Sequence, residues 1–426
     1  MRDHVVIAPD KFKGSLTAPE VAEHVAAGLG VPAVSLPVAD GGDGTVDAVV
    51  ACGFERVEVE VAGPTGERVV ASYAVQGETA VVEMADASGL RRLSGGLAPL
   101  TATSYGTGEL IAHAVRGGAR RIVLGLGGSA CTDGGAGLAQ ALGARFLDAS
   151  GNELPLGGGA LRDLAQIDIS RFMTGLREIS GHEPVAGHES GAGHDHEVGD
   201  DHGVGEGDGH RHASDAVAGL EFVVASDVDN PLLGPFGAAA VYGPQKGADP
   251  DEVKVLEAGL ARLAAVAAHT HGLAGSVEHD GVVRSMGVAG QPGAGAAGGV
   301  GFAALAFLHA EIRPGIEYLL DLLDFDRHVR GARLVITGEG SLDEQSLRGK
   351  APIGVANAAA RYGVPVVAVC GRRAIGDEEL RKAGIDAVYA LTDLESDVRV
   401  CMTEAGPLLE RLAVRIAATR LEDAGE

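Results

Sequence analysis

The sequence predicts an α/β fold in which a doubly wound parallel sheet is interrupted by a second, inserted α/β domain with an antiparallel or mixed sheet. Three observations predict it. Near both ends of the chain, short β-branched runs lead into a polar or glycine-rich loop and then a helix pattern, as parallel strands do when sites lie at their C-terminal ends. From Arg56 the pattern changes to period-two alternation, with Val57, Val59 and Val61 ahead of a Gly63-Pro64-Thr65-Gly66 turn, which reads as antiparallel strands. The 66 glycines, the absence of tryptophan and an aromatic content of 4% in 426 residues fit small-residue cores with close helix–sheet packing.

The elements follow in order. His4–Ala8 reads as a buried strand, and the loop Asp10–Leu16 (DKFKGSL) follows it. Thr17-Ala18-Pro19-Glu20 forms a capping box for a helix carrying Val21, Val25 and Leu29, which stops at Gly28 or Gly30. A second strand, Ala33–Val38, leads into Asp40-Gly-Gly-Asp-Gly-Thr45 and a short helix ending at Gly53. After the meander of strands at 57–61, 69–75 and 79–83 come a helix at about Tyr105–Val115 and the stretch Arg121–Gly137 (RIVLGLGGSACTDGGAG). There a short strand breaks into a glycine loop feeding a helix, where backbone N–H groups and the helix terminus can receive an anion. A packing turn is the plainer reading of that loop.

Downstream, strand Leu220–Ala225 precedes a helix from about Pro250 to Ala268. Gly293-Ala-Gly295-Ala-Ala-Gly298 fits the dinucleotide pattern G-x-G-x-x-G in letters. No clear strand precedes it and no strand-end acid follows about twenty residues on, so a dinucleotide site is not expected. Strand Arg333–Ile336, a helix from Pro352 to Tyr362, strand Val364–Val369, helix Asp377–Ala383, strand Ala387–Ala390 and a final helix at about 407–421 complete five strands in the outer domain. The domain expectation is therefore 1–60 plus 290–426 for the doubly wound domain and 61–289 for the insertion.

Residues 178–217 stand apart. Seven of the fifteen histidines (His182, His188, His194, His196, His202, His210, His212) lie there, with nine Asp or Glu against one Arg between Gly181 and Asp215. With almost no large apolar side chains, the segment is expected to be a disordered insertion. Its irregular spacing does not spell a specific metal site.

A formal charge of −25 opposes nucleic-acid and anionic membrane surfaces. Cys52, Cys131, Cys370 and Cys401 form no C-x-x-C pair and read as reduced thiols of a cytoplasmic protein. No apolar run reaches membrane-spanning length, and no signal peptide is expected.

The loops carry the chemistry. The outer domain offers Asp10, Lys11, Lys13, Ser15, Asp40, Asp43, Glu339, Asp343, Arg348 and Lys350, and the insertion offers Ser129, Asp133, Asp227, Asp229 and Lys246. Acids that can hold Mg²⁺ or take a hydroxyl proton, cations and glycine-rich backbone fit phosphoryl transfer. Individually, Asp10 or Asp40 is equally a helix cap, and Lys350 and Arg313 are equally solvated surface residues. No G-x-x-x-x-G-K-[ST] occurs, nor G-x-S-x-G, so a P-loop kinase and a serine hydrolase are both unsupported. Gly41–Thr45 matches the GGDGT of the NAD kinase and diacylglycerol kinase group. Gly125–Ala130 is similar to the glycine loop of the galactokinase–mevalonate kinase superfamily. Each match covers five or six residues and lacks its context.

A longer resemblance covers the chain from Val6 to about Val388. DKFKGSL (Asp10–Leu16), ADGGDGT (Ala39–Thr45), ATSYGTGELI (Ala102–Ile111) and GLGGSACTDGGAG (Gly125–Gly137) resemble the type I glycerate kinase family. SDVDNPLLGPFGAAAVYGPQKGA (Ser226–Ala248), PGAGAAGGVGF (Pro292–Phe302), EIRPGIE (Glu311–Glu317) and TGEGSLDEQSLRGKAP (Thr337–Pro352) continue it in order. The resemblance implies a flavodoxin-like domain interrupted by a second α/β domain, and ATP-dependent phosphorylation of D-glycerate with Mg²⁺. Of the two products, 2-phosphoglycerate is favoured over 3-phosphoglycerate. Departures are Asp43 where the family has Glu, and Thr132, preceded by Cys131, where it has Asn ahead of Asp133.

On this reading Lys13, Asp40 and Asp133 are catalytic, with Asp40 or Asp133 as base or orienting group. Asp10, Ser15, Arg313 and Lys350 bind glycerate. Gly127, Gly128, Ser129, Gly293, Gly295 and Lys246 meet the nucleotide phosphates, and Asp43, Asp229, Glu339 and Asp343 hold Mg²⁺. The partners are then small molecules, with a homodimer allowed. The rival is a catalytically inactive sensor or metal-binding relative using the His-rich loop, against which the retained acids and lysines argue.

Overall fold

The structure, a computed structural model, describes residues 4–174, 217–271, 277–279, 282–284, 287–348 and 350–421. Apart from Val217, the His-rich segment read at 178–217 lies outside the described residues. In chain order the first strands are β1 (His4–Pro9), β2 (Ala33–Ser35), β3 (Glu55–Ala62), β4 (Arg68–Gln76), β5 (Thr79–Glu83) and β6 (Arg121–Gly125). Then come β7 (Arg145–Leu147), β8 (Gln166–Asp168), β9 (Glu221–Ala225), β10 (Val277–His279) and β11 (Val282–Arg284). The last are β12 (Glu311–Arg313), β13 (Ala332–Leu342), β14 (Val366–Arg373) and β15 (Ala387–Ala390).

Two sheets dominate. The first is five-stranded, in the order β15-β14-β13-β1-β2, and all its pairings are parallel. The second is six-stranded, in the order β12-β9-β6-β5-β4-β3. It is antiparallel from β3 to β5 and parallel from β5 to β12. The mixed sheet expected of the inserted region is therefore present. β7–β8 and β10–β11 form small antiparallel pairs.

Period two in the strands sets the layers. In the first sheet Val5, Ile7, Leu334 and Ile336 face one core, shared with the helices Ala18–Leu29 and Ala405–Ile416. Val6, Ala8, Val335 and Ala368 face the opposite core. That second core also contains Val81, Val123 and Val223 from the second sheet, with side chains from the helices Thr45–Ala51, Gly315–Leu322 and Ala351–Ala360. The far face of the second sheet, with Ala80, Val82, Ile122 and Val224, packs on the helices Tyr105–Arg116 and Ala296–Phe307. The result is five layers, α/β/α/β/α, with the central parallel strands of both sheets buried on each face and the antiparallel edge strand β3 exposed or half-buried along most of its length.

Local signals behaved as their chemistry requires. Thr17 and Glu20 close the capping box, and Gly30, left-handed at φ 64°, ends the helix Ala18–Leu29. Gly28 lies inside that helix, where a side chain would strike the backbone of Glu410. β13 runs on to Leu342, so the TGEGSL stretch read as a loop is strand, and Glu339 is a strand residue. The chain enters the second sheet at Glu55 and leaves it only after Arg313. The sequence division at 290 therefore falls ahead of the helix Ala296–Phe307 and β12, both of which pack with the second sheet.

Candidate active site

Strand order locates the site. From β1 the chain steps outward to β2, whereas β13 returns on β1's other side and leads on to β14 and β15. The crevice between β1 and β13 is thus a topological switch point, where open parallel sheets receive ligands at their C-terminal ends. A cleft of about 650 Å³ opens there. It is lined by Asp10, Lys11 and Lys13 after β1, Asp40 and Asp43 after β2, Glu339 and Asp343 from β13, and Lys350. The second sheet supplies Gly127, Gly128 and Arg91 as the facing wall.

Glycine brings the two walls together. A Cβ on Gly41 would overlap the Ala225 carbonyl, one on Gly125 would overlap the Gly41 carbonyl, and one on Gly127 would overlap Gly42. The loop Asp40–Gly44 therefore lies directly against the ends of β6 and β9, and only glycine permits that approach. Glycines read first as an anion cradle thus act as the contact between the two sheets, with Gly127 and Gly128 still exposed to the cleft.

The electrostatics separate the acids. Asp10 is buried and its carboxyl is pushed up to about 7 by burial, against the pull of Lys11, with Asp40 and Glu339 adding to the rise. Its Oδ1 accepts from the Lys11 N–H at 2.7 Å, with Lys11 Nζ at 3.7 Å. Asp40 Oδ1 accepts from the Gly42 N–H at 3.1 Å. Burial also raises the Glu339 carboxyl, and its Oε1 is buried without a hydrogen-bond partner. Lys13 is exposed in the cleft and pairs with no described acid.

Several predicted residues lie elsewhere. Asp133, read as a base, is completely buried and absent from the cleft lining. Its Oδ2 accepts from Ser104 N–H (2.8 Å), Ser104 Oγ (2.9 Å), Thr103 Oγ1 (3.2 Å) and Gly137 N–H (3.3 Å), and Oδ1 from Gly135 N–H (3.1 Å). This is a carboxylate that ties two helix starts together, behind the cleft lining rather than in it. Asp133→Ala strands these buried donors and is expected to cost about 3 kcal/mol or more. The expected observation is a clear fall in Tm, while KM values of the folded fraction stay within about threefold.

Lys246 and Ser129 are buried together: Lys246 Nζ donates to Ser129 Oγ at 2.8 Å and to the Cys131 carbonyl at 2.5 Å. Burial pushes the Lys246 ammonium below its ordinary value. Gly293 and Gly295 are packed against Ile312 and Pro231. None of these four lines the cleft; all four are packed inside the protein. Arg313 stacks over Tyr318 at 4.9 Å and pairs with Asp321 at 3.1 Å, and Asp229 is exposed; both are outside the cleft lining. Ser15 lines the cleft, but its hydroxyl donates to the Met402 carbonyl at 2.6 Å. It fastens the DKFKGSL loop to the helix Val398–Thr403. Asp43 lines the cleft and is paired with Arg91.

Arg91 and Glu83 escaped the sequence reading. Arg91 reaches Asp43, Glu83 and Asp86, and Glu83, at the end of β5, accepts from the Gly44 and Val46 N–H groups at the start of the helix Thr45–Ala51. Burial lifts the Glu83 carboxyl to about 7, against the attraction of Arg91. A carboxylate closing the apolar run Ala80–Val82 was the available signal.

Comparison with known proteins gives one consistent answer. The profile described as the glycerate kinase family matches residues 5–182 and 208–421. The glycerate kinase of Bacillus subtilis (strain 168) is 41% identical over 97% of each chain. The glycerate 2-kinase of Escherichia coli (strain K12) is 41% identical over 91% of this chain and 90% of its own. A Salmonella typhimurium LT2 crystal structure described as glycerate kinase 2 superposes with a TM-score of 0.75 at 38% identity, covering 98% of both chains. The two matched blocks leave out residues 183–207, within the His-rich segment. Deleting 183–207 is therefore expected to change kcat/KM by less than about twofold, measured at saturating donor on the purified deletion protein; a folded but inactive deletion protein would assign that segment a role.

Proposed function

The chain belongs to the glycerate kinase family and is a kinase that phosphorylates glycerate, and on that premise we propose that ATP is its donor, Mg²⁺ its metal and 2-phosphoglycerate its product. The observation that carries this reading is the set of five acids and five cations gathered at one switch point in a chain of net charge −25. Asp10, Asp40, Asp43, Glu339 and Asp343 face Lys11, Lys13, Arg91, Lys350 and Arg372. The cleft is thus balanced in formal charge while the chain as a whole is strongly negative, and burial that raises the Asp10 carboxyl to about 7 lessens its negative charge further, which suits anionic substrates. The name of the Escherichia coli relative, a glycerate 2-kinase, supports the 2-hydroxyl as acceptor. Among the described residues no helix is long and apolar enough to cross a membrane, and we place the reaction in the cytoplasm.

In the proposed reaction, Lys13 grips the glycerate carboxylate. Asp10, once deprotonated, takes the proton of the 2-hydroxyl, and Asp40 orients that group. The alkoxide oxygen bonds to the γ-phosphorus as the bond to the ADP oxygen breaks, so ADP leaves carrying the electron pair. Lys11, Lys350 and Arg372 balance charge on the transferring group, and Gly127 and Gly128 let phosphates approach the main chain. Among the described residues no three His, Cys, Asp or Glu side chains gather around one metal position. An Mg²⁺ would thus take one or two carboxylates and complete its shell from phosphate and water. Glu339, with its unpartnered buried oxygen, and Asp343 fit that role. The metal would neutralise charge on the bridging phosphates.

The test is to incubate purified protein with Mg-ATP and D-glycerate and record the proton-coupled ³¹P spectrum. A phosphate on C2 sees one carbinol proton and gives a doublet; a phosphate on C3 sees two methylene protons and gives a triplet. A doublet with matching ADP release is expected. A triplet would overturn the regiochemistry, and no glycerate-dependent ADP would overturn the activity.

A further inference from the structure

The cleft is larger than glycerate and its polar groups require. It extends past β13 along the ends of β14 and β15, and its character changes on the way. Near β1, β2 and β13 the lining is charged; beyond β14 it becomes Leu391, Thr392, Val398, Cys401 and Met402. Val398 and Met402 hold 50% and 45% of their surface in solvent, although each is a large apolar side chain. Such exposure in a recess marks a surface built to be covered.

Glycerate cannot cover it, because each of its three carbons carries oxygen and it has no apolar face. A nucleobase can. From β15 to β1 there are three inter-strand steps, about 14 Å in all. Met402 reaches back across that span to the β1 loop, where its carbonyl accepts from Ser15 Oγ, so a base resting on Val398 and Met402 lies within reach of phosphates held by the acids and cations at the switch point. The Ser15–Met402 hydrogen bond holds the lysine-bearing loop directly against the helix that carries the apolar side chains, so the shelf adjoins the phosphate end of the cleft.

We propose that Val398 and Met402 form the shelf on which the nucleobase of the phosphoryl donor lies, with Arg372, on the intervening strand β14, beside the phosphate chain. This rests on the kinase reading above and adds the donor's orientation to it. The donor lies along the strand ends of the first sheet, and glycerate occupies the β1–β2 side.

The test uses Val398→Asp and Met402→Glu, both at solvent-exposed positions. Mg-ATP is titrated calorimetrically into the wild-type protein and each variant, and KM for ATP and for glycerate are measured separately. A charge placed on the shelf is expected to weaken ATP binding and raise KM for ATP by about tenfold or more, with KM for glycerate changed by less than about twofold. Unchanged ATP affinity in both variants, a selective rise in KM for glycerate, or no ATP binding by the wild type would each overturn the shelf. If one variant fails to fold, the other carries the comparison. Wild-type protein that binds ATP through the shelf but leaves glycerate unphosphorylated would overturn the proposed function and leave the shelf standing.

Discussion

Asp10→Asn is expected to lower kcat/KM for glycerate by about two to four orders of magnitude, the range for losing a positioned general base. The side chain keeps its shape and loses its ability to take the hydroxyl proton. Its effect on stability should run the other way. An ordinary aspartate titrates near 3.8, and burial pushes Asp10 up to about 7. Between those values the folded protein holds a proton that the unfolded chain releases, so this group's contribution to stability declines as pH rises through the window. Asparagine removes that decline. At pH 8 the variant should therefore melt no lower than the wild type while being nearly inactive. Loss of activity accompanied by an equal loss of fold would make Asp10 a structural residue.

Lys13→Ala is expected to reduce kcat/KM by about a hundredfold, with most of the loss in KM for glycerate. Of the residues first read as binding glycerate, Ser15 is engaged with Met402 and Arg313 is stacked on Tyr318. Lys13 is left as an exposed cation facing the acids of the cleft. Because it pairs with no described acid, removing it should leave Tm within about 1–2 °C. Lys13→Arg should recover part of the loss. Measuring both KM values separates this role from a general electrostatic one: a rise confined to KM for ATP would place Lys13 on the phosphates instead.

Much of the architecture was legible because its signals are local. Thr17 and Glu20 three residues apart specify a cap wherever the chain goes, and the alternation Val57, Val59, Val61 specifies a strand with two unlike faces. The candidate site was legible where one loop carried both the residue and its position, as with Asp10 and Lys13 after β1. It was not legible where the deciding contact is distant in sequence. Asp133 stands among glycines just as a catalytic acid would, but its donors come from Thr103 and Ser104, about thirty residues earlier. Lys246 resembles a phosphate ligand until Ser129, 117 positions away, is found beneath it. Glu83 and Arg91 gave no motif at all; their meaning comes from Gly44 and Asp43 on the other wall. The glycine loops show the same limit. The residues that permit a phosphate to approach also permit another backbone to do so, and at Gly41 and Gly125 the neighbour is backbone.

The central claim is that the buried carboxyl at the β1–β13 switch point takes the glycerate proton. Burial raises two carboxyls to about 7, Asp10 in the cleft and Glu83 behind Arg91, so a pH profile of the wild type alone would not distinguish them. The decisive measurement is kcat/KM for glycerate against pH, between about 5 and 9, in wild type, Asp10→Asn and Glu83→Gln. The wild type should rise on a limb with an apparent pKa near 7, Glu83→Gln should keep that limb, and Asp10→Asn should show a low rate without it. A limb that persists in Asp10→Asn, or one that disappears only in Glu83→Gln, would contradict the account.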